Sequence, residues 1–135
     1  MTIPLSDQAR KLVDGANLAV LATINPDGSP QTSVVWVGRD GDDLVISTEA
    51  GRRKDKNLRR EPRASLTVID KDDPDQYVEI RGTSTVAEDV DRVVAVALAE
   101  AYEGPGAGAT YLDLPVEVVR TVIRITPTRL TGPAA

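Results

Sequence analysis

Short runs of β-branched and aliphatic residues, each closed by a turn signal, recur along this chain and point to antiparallel β-structure. Leu18 to Ile24 is a continuous apolar run and reads as a buried strand, and Asn25-Pro26-Asp27-Gly28 behind it is a strong turn. Gln31 to Val37, rich in Val and Thr, is a second strand. Arg39-Asp40-Gly41-Asp42 turns the chain again, and Leu44 to Thr48 is a third. Three strands joined by short turns predict an antiparallel meander. Ala64 to Ile69 is a fourth strand, closed by Lys71-Asp72-Asp73-Pro74. Tyr77 to Val86 is a fifth, with Gly82 as a bulge or bend, and Val118 to Thr126 is a last strand ended by Pro127.

Helical periodicity fits between these strands. Ser6 can cap a helix over 7–15, with Leu5, Ala9, Leu12, Val13 and Ala16 at helical spacing and Gly15 at its end. Residues 52–60 suit a short helix stopped by Pro62. Asp89 to Tyr102 predicts a longer helix, with Val90, Val93, Val94, Ala97, Leu98 and Ala101 as its apolar stripe; Glu103 to Ala109 is a Gly/Pro-rich loop. Six strands with inserted short helices predict one mainly β domain over 1–135, a small antiparallel barrel.

Composition narrows the chemistry. Hydrophobic residues reach 41% but aromatics only 3%, with no Phe and one Trp, so Val, Leu, Ile and Ala must build the core. There is no Cys and no His. Disulfides, thiol chemistry, imidazole general bases and the usual nitrogen or sulfur zinc ligands are excluded, so an enzyme of this composition leaves the hard chemistry to a bound cofactor. No apolar run approaches the roughly 20 residues of a membrane helix, and Met1 onward lacks a basic stretch followed by an apolar one. The expectation is a cytoplasmic protein with no membrane partner. A net charge of −5 and few stacking aromatics argue against nucleic acid as a partner.

Positive charge is nonetheless concentrated. Of 16 basic residues, seven fall in one stretch: Arg52, Arg53, Lys54, Lys56, Arg59, Arg60 and Arg63, opposed only by Asp55 and Glu61. Just before them come Ser47, Thr48 and Gly51. Two hydroxyls at a strand end, a Gly that allows close backbone approach, and cations at a helix start make a phosphate cradle, because free N–H groups and charge-assisted donors converge there. The plain alternative is a solvated basic helix with no ligand. Spacing of three to four residues between the cations makes one helix face nearly all positive, which costs stability unless an anion compensates.

The stretch ISTEAGRRKDKNLRREPRASLTV resembles the pyridoxamine 5′-phosphate oxidase-like split-barrel flavoproteins, and RRKDKNLRREPRASL resembles their deazaflavin-dependent branch. LAVLATINPDGSPQTSVVWV is similar to that branch's first hairpin and VIRITPTRLTG to its last strand. The resemblance implies a six-stranded antiparallel split β-barrel of the FMN-binding type, a homodimer with the cofactor at the subunit interface, and an oxidoreductase transferring hydride to an unsaturated or conjugated small-molecule substrate; the alternative to an enzyme is a non-catalytic module that binds a flavin-like cofactor. It implies that Arg53 and Lys54, placed before Pro62, hold the cofactor phosphate, aided by Arg52, Ser47 and Thr48. Asn57 is then structural or cofactor-adjacent, Gln31 and Ser33 line the cofactor arm, and Tyr77 and Arg81 lie on a strand that reaches the partner's cofactor. Val35 or Trp36 meets the ring or the interface. Coenzyme F420 carries a phosphodiester and an acidic tail, and FMN one terminal phosphate. Lys56, Arg59 and Arg60 would meet the longer arm, which favours F420, with FMN as the alternative. Catalytic residues stay unassigned: the proton comes from solvent, a Tyr or a carboxylic acid. The loop from Glu103 to Asp113, with Tyr102 and Tyr111 beside it, would cover the substrate side or act as a passive connector.

Overall fold

A computed structural model describes residues 1–135. Seven strands form one sheet: β1 (Leu18–Ile24), β2 (Pro30–Val35), β3 (Gly38–Asp40), β4 (Asp43–Glu49), β5 (Arg63–Ile69), β6 (Tyr77–Glu88) and β7 (Arg120–Thr131). Their spatial order is β2-β1-β5-β6-β7-β4-β3, with every pairing antiparallel. β2 and β3 follow one another in the chain but lie at opposite edges of that order. The two-residue link Trp36-Val37 spans about 11 Å at most. The edges therefore meet at this corner without pairing, and the sheet rolls into a split barrel.

This corner corrects the expected meander. The expected second strand, Gln31 to Val37, ends at Val35, and part of the expected turn is the extra strand β3. The expected third strand lies inside β4, which pairs with β7 and β3 rather than β2. Tyr102 is the physical reason. Its hydroxyl accepts the Val37 N–H at 3.1 Å and donates to the Asn17 carbonyl at 2.7 Å, so a side chain takes the place of a ladder partner. The Tyr102 ring stacks on Trp36 at 5.4 Å between centroids.

The barrel is filled by strict alternation. Ala19 and Leu21, Leu44 and Ile46, Leu66 and Val68, Val78 and Ile80, and Ile123 and Ile125 all point inward and are fully buried. Each Leu, Ile or Val so placed contributes roughly 1.5–3 kcal/mol. Helix α1 (Asp7–Asp14), capped by the Ser6 hydroxyl on the Ala9 N–H, adds Ala9, Leu12 and Val13 to the same core. β7 runs through Pro127, where a stop was expected, because Pro127 faces Gly82 at a register shift that needs no proline N–H. A Cβ on Gly82 would lie 2.3 Å from the Thr126 carbonyl oxygen, so only glycine fits the bulge.

Helix α2 (Arg53–Arg60) leaves the end of β4. The expected helix over 89–102 is broken into a 3₁₀ turn, Val90–Arg92, and α3 (Val93–Glu103), because Asp91 and Arg92 take left-handed φ of 59° and 57°. The rotation changes the buried face. Ala95, Leu98 and Ala99 are buried, whereas Val90 and Val93 stand exposed, so the expected stripe kept only Leu98 inside. A short α4 (Ala109–Leu112) closes the loop behind α3. No helix is long and apolar enough to cross a membrane.

Candidate functional site: a cationic cleft at the end of β4

One cleft of about 320 Å³ collects the end of β2 (Val34, Val35, Trp36), the end of β4 (Ser47, Thr48, Glu49), Arg52 and Lys54 before and within α2, Ala95 and Leu98 of α3, Tyr111 of α4 and Arg120 of β7. One side is apolar and the other carries three cations against a single carboxylate.

The chain enters α2 in a fixed way. Gly51 turns at φ 90°, and Asp55 in the first helical turn reaches back to accept its N–H at 2.9 Å, much as a capping box does. Asp55 is buried, and its other contacts are the Thr121 hydroxyl at 3.1 Å and the Arg59 Nε at 3.3 Å. Burial pushes this carboxyl up. The Gly51, Arg59 and Thr121 contacts outweigh that push and hold it below the ordinary aspartate range. Asp55 thus ties the helix start to β7 and sets where Arg52 and Lys54 face.

The cleft cations outnumber the one carboxylate beside them. Arg52, which has no side-chain cap to make as the N-cap residue, meets Glu49 at 3.4 Å. Lys54 makes no hydrogen bond or ion pair, and burial first, then Arg52 and Arg120, lower its ammonium below the ordinary lysine range. Burial likewise lowers Arg120. An anion seated between these groups would relieve both the desolvation and the mutual repulsion.

The structure brings Ser47, Thr48, Arg52 and Lys54 together on this cleft, and Trp36, Val34 and Val35 with them. It places the other expected site residues elsewhere within one chain. Arg53, expected to hold the phosphate beside Lys54, is exposed at the start of α2 and off the cleft wall, because neighbouring residues of a helix point about 100° apart. Asn57 is wholly buried and donates to the Thr23 hydroxyl at 2.9 Å and the Asn25 side-chain oxygen at 3.0 Å, so it ties α2 to the first hairpin and touches no open cavity. Gln31 accepts from that same Thr23 hydroxyl at 2.6 Å. Ser33 follows on the same face of β2, its Oγ buried with no partner. Tyr77 begins β6, at the far end from Glu88, which pairs with Thr121 beside the cleft. Arg81 pairs with Glu79 at 2.9 Å.

The remaining cations of the cluster divide, among them Lys56, Arg59 and Arg60, which were expected to meet a longer acidic arm. Arg59 is taken by Asp55, Arg60 by the Ile24 carbonyl and the Asn57 side chain, and Arg63 by Glu61 at 2.7 Å. Arg53 and Lys56 remain exposed and unpaired. Sequence reading missed Arg120 and separated it from the cluster, because its neighbours in space are set by the β4–β7 register, Glu49 opposite Arg120, which no local pattern announces. Tyr111 lines the cleft, whereas Tyr102 is committed to the corner.

A split barrel with a cationic cleft where β4 passes into α2 is the arrangement of a small ligand-binding flavoprotein-type fold. The chain matches the family description "Pyridoxamine 5′-phosphate oxidase" over residues 5–132 and belongs to that family. Among solved structures it is similar to one named F420 Reductase, at 28% identity over 90% of this chain and 94% of that one, TM-score 0.75. It is similar also to the conserved hypothetical protein Rv2991 from Mycobacterium tuberculosis, at 27% identity over 96% of this chain and 84% of that one, TM-score 0.77. A heme binding protein from Mycobacterium smegmatis shares the fold at 24% identity, TM-score 0.67, with 95% of this chain covering 54% of that one.

Proposed function

We propose that the cleft holds the phosphate-bearing arm of a flavin-like cofactor, coenzyme F420 in first place and FMN in second, in a cytoplasmic oxidoreductase acting on an unsaturated or conjugated small organic substrate. The observation that carries this reading is Lys54: a half-buried ammonium with no partner, flanked by two further cations, on a cleft whose one carboxylate is already shared with Arg52. Such a group suits an incoming anion and serves no packing purpose.

The residues fit the cofactor's chemistry. Lys54 and Arg52 supply charge-assisted donors, and Ser47 and Thr48 line the same cleft. Val34, Val35, Trp36 and Leu98 give a dry flank for a planar ring. When bound, a reduced deazaflavin supplies the hydride. This chain's own part is to bind, orient and exclude water. Tyr111 contributes a phenolic hydroxyl and Glu49 a carboxylate to the cleft lining.

F420 is preferred for two reasons. A structure named F420 Reductase aligns with nearly the whole chain, and Arg53 and Lys56 stay unpaired on the exposed side of α2, where an acidic tail leaving the cleft would pass. Arg59 and Arg60 are committed within the fold, which leaves the tail to Arg53 and Lys56.

A homodimer belongs to the same proposal. At about 320 Å³ the cleft is at the small end of ligand pockets and takes an arm better than an arm with a tricyclic ring. Val34 on its rim is 65% exposed, an apolar edge suited to a second copy. Titration of the purified protein with F420 and FMN side by side, followed by absorbance and calorimetry, tests the reading. Saturable binding, tighter for F420, is expected. Binding of neither cofactor would end it, and tighter FMN would move the cofactor assignment to the runner-up.

A further inference from the structure

We infer that Arg120 is a direct ligand of the cofactor's phosphate, and that Arg92, through the segment carrying Tyr111, is the residue that positions it. This deepens the proposed function and rests on the reading of the cleft as a phosphate site.

Arg120 sits on the cleft wall with most of its donors unused. Its Nη2 donates to the Ser47 hydroxyl at 2.9 Å, while its Nε is buried with no partner. A guanidinium has five N–H donors in a rigid fork, and a buried one without an acceptor is costly. Glu49, directly across the β4–β7 ladder, and Asp89 attract Arg120 through space, but neither carboxylate bonds it: Glu49 pairs with Arg52, and Asp89 accepts the Val94 and Ala95 N–H groups. The result is a cation that is partly desolvated, shares the cleft wall with Arg52 and Lys54, and keeps Nη1 without a partner beside the Nη2 held by Ser47. A phosphate offers the bidentate acceptor that such a fork matches. Ser47 then belongs to the site as the group that turns the guanidinium.

The opposite face of the guanidinium is also fixed. Its carbon lies 5.0 Å from the Tyr111 ring centroid, a cation–π contact. Tyr111 lies in α4, whose backbone hydrogen bonds stay within 106–118, and the Arg92 guanidinium ties that segment to the turn before α3. The two terminal nitrogens of Arg92 donate to the carbonyls of Tyr111 at 3.0 Å, Leu114 at 2.8 Å, Pro115 at 2.6 Å and Val118 at 2.9 Å. Arg92 does so from a left-handed backbone, φ 57°, that a non-glycine residue adopts only when its surroundings demand it. The strained turn that broke the expected helix is therefore the anchor that seats Tyr111 against Arg120.

The test compares a phosphorylated cofactor with its phosphate-free ring, FMN with riboflavin or F420 with deazariboflavin, by calorimetry on the full chain. For wild type the phosphorylated form binds more tightly. Arg120→Gln is expected to weaken the phosphorylated form at least tenfold and leave the bare ring unchanged. Arg120→Lys, which keeps the charge without the fork, falls between. Arg92→Gln is expected to weaken the phosphorylated form several-fold and to speed hydrogen exchange of the 111–118 amides, both without change at the bare ring. Equal losses for both ring forms in Arg120→Lys, or an unchanged phosphate preference in either Arg120 variant, would make Arg120 structural and overturn the inference. A wild type that binds neither ring form overturns the underlying function instead.

Discussion

The two ends of α2 carry the same charge and do opposite things. At the C-terminal end Arg59, Arg60 and Arg63 each have a partner inside the fold: Asp55, the Ile24 carbonyl with Asn57, and Glu61. At the N-terminal end Arg52 shares one carboxylate, Lys54 has none, and Arg120 joins them from a distant strand. A count of positive residues treats the two ends alike. Partnering and burial separate them: the paired end holds α2 on the barrel, and the unpaired end waits for an anion. Removing the buried partners at the first, Asp55 and Asn57, should therefore change stability, whereas removing charge at the second should change ligand affinity.

The largest effect belongs to the residue that joins the two ends. Asp55→Ala removes the acceptor of Gly51, Thr121 and Arg59 together, and should cost about 3 kcal/mol in denaturant unfolding. Its pH dependence has a definite sign. Asp55 titrates lower folded than unfolded, so its stabilisation is complete above the ordinary value of 3.8 and is lost as pH falls through its lower folded value. Unfolding midpoints measured from neutral to strongly acidic pH should fall less steeply in Asp55→Asn than in wild type. An identical acid profile would remove Asp55 from that role.

Asn57→Ala comes next, at about 2 kcal/mol for the lost hydrogen bonds to Thr23, Asn25 and Arg60, with cofactor affinity within about twofold of wild type once the protein is folded. A large affinity loss at full stability would instead draw Asn57 into the site. Lys54→Ala inverts the pattern. Cofactor binding should weaken at least tenfold, about 1.4 kcal/mol or more, while the unfolding midpoint stays level or rises, since a repelled and desolvated cation has been removed. Lys54 also loses its proton below the ordinary value of 10.5, so wild-type affinity for the phosphorylated cofactor should decline as pH rises into the alkaline range. Lys54→Arg should flatten that decline. The smallest effect is Arg63→Ala: its pair with Glu61 is exposed, and the change should stay within about 0.5 kcal/mol in stability, with affinity unaltered.

Local chemistry made much of this readable from sequence. The Ser6 cap, the turn at Asn25 to Gly28, the bulge at Gly82 and the strand positions follow from residue preferences that act over a few positions. What stayed hidden depends on long-range pairing. Val37 leaves the ladder because a tyrosine from position 102 takes its N–H, and the 89–102 helix breaks because Arg92 has four carbonyls to reach from 111 to 118. In the site, Ser47, Thr48, Arg52 and Lys54 were found because they are neighbours in the chain. Arg120 was not, because it reaches them only through the β4–β7 register. Arg53 points off the cleft, which sequence proximity cannot show, and Asn57 takes the structural one of the two roles left open for it, tying α2 to the first hairpin.

The most direct measurement is a crystal structure of the protein with F420 or FMN bound. The account predicts a phosphate oxygen within about 3 Å of the Lys54 Nζ, the distance of a charge-assisted hydrogen bond, with Arg52 and Ser47 on the same group. A phosphate lodged against Arg59 to Arg63, or a ring bound with its arm in open water and Lys54 untouched, would contradict it.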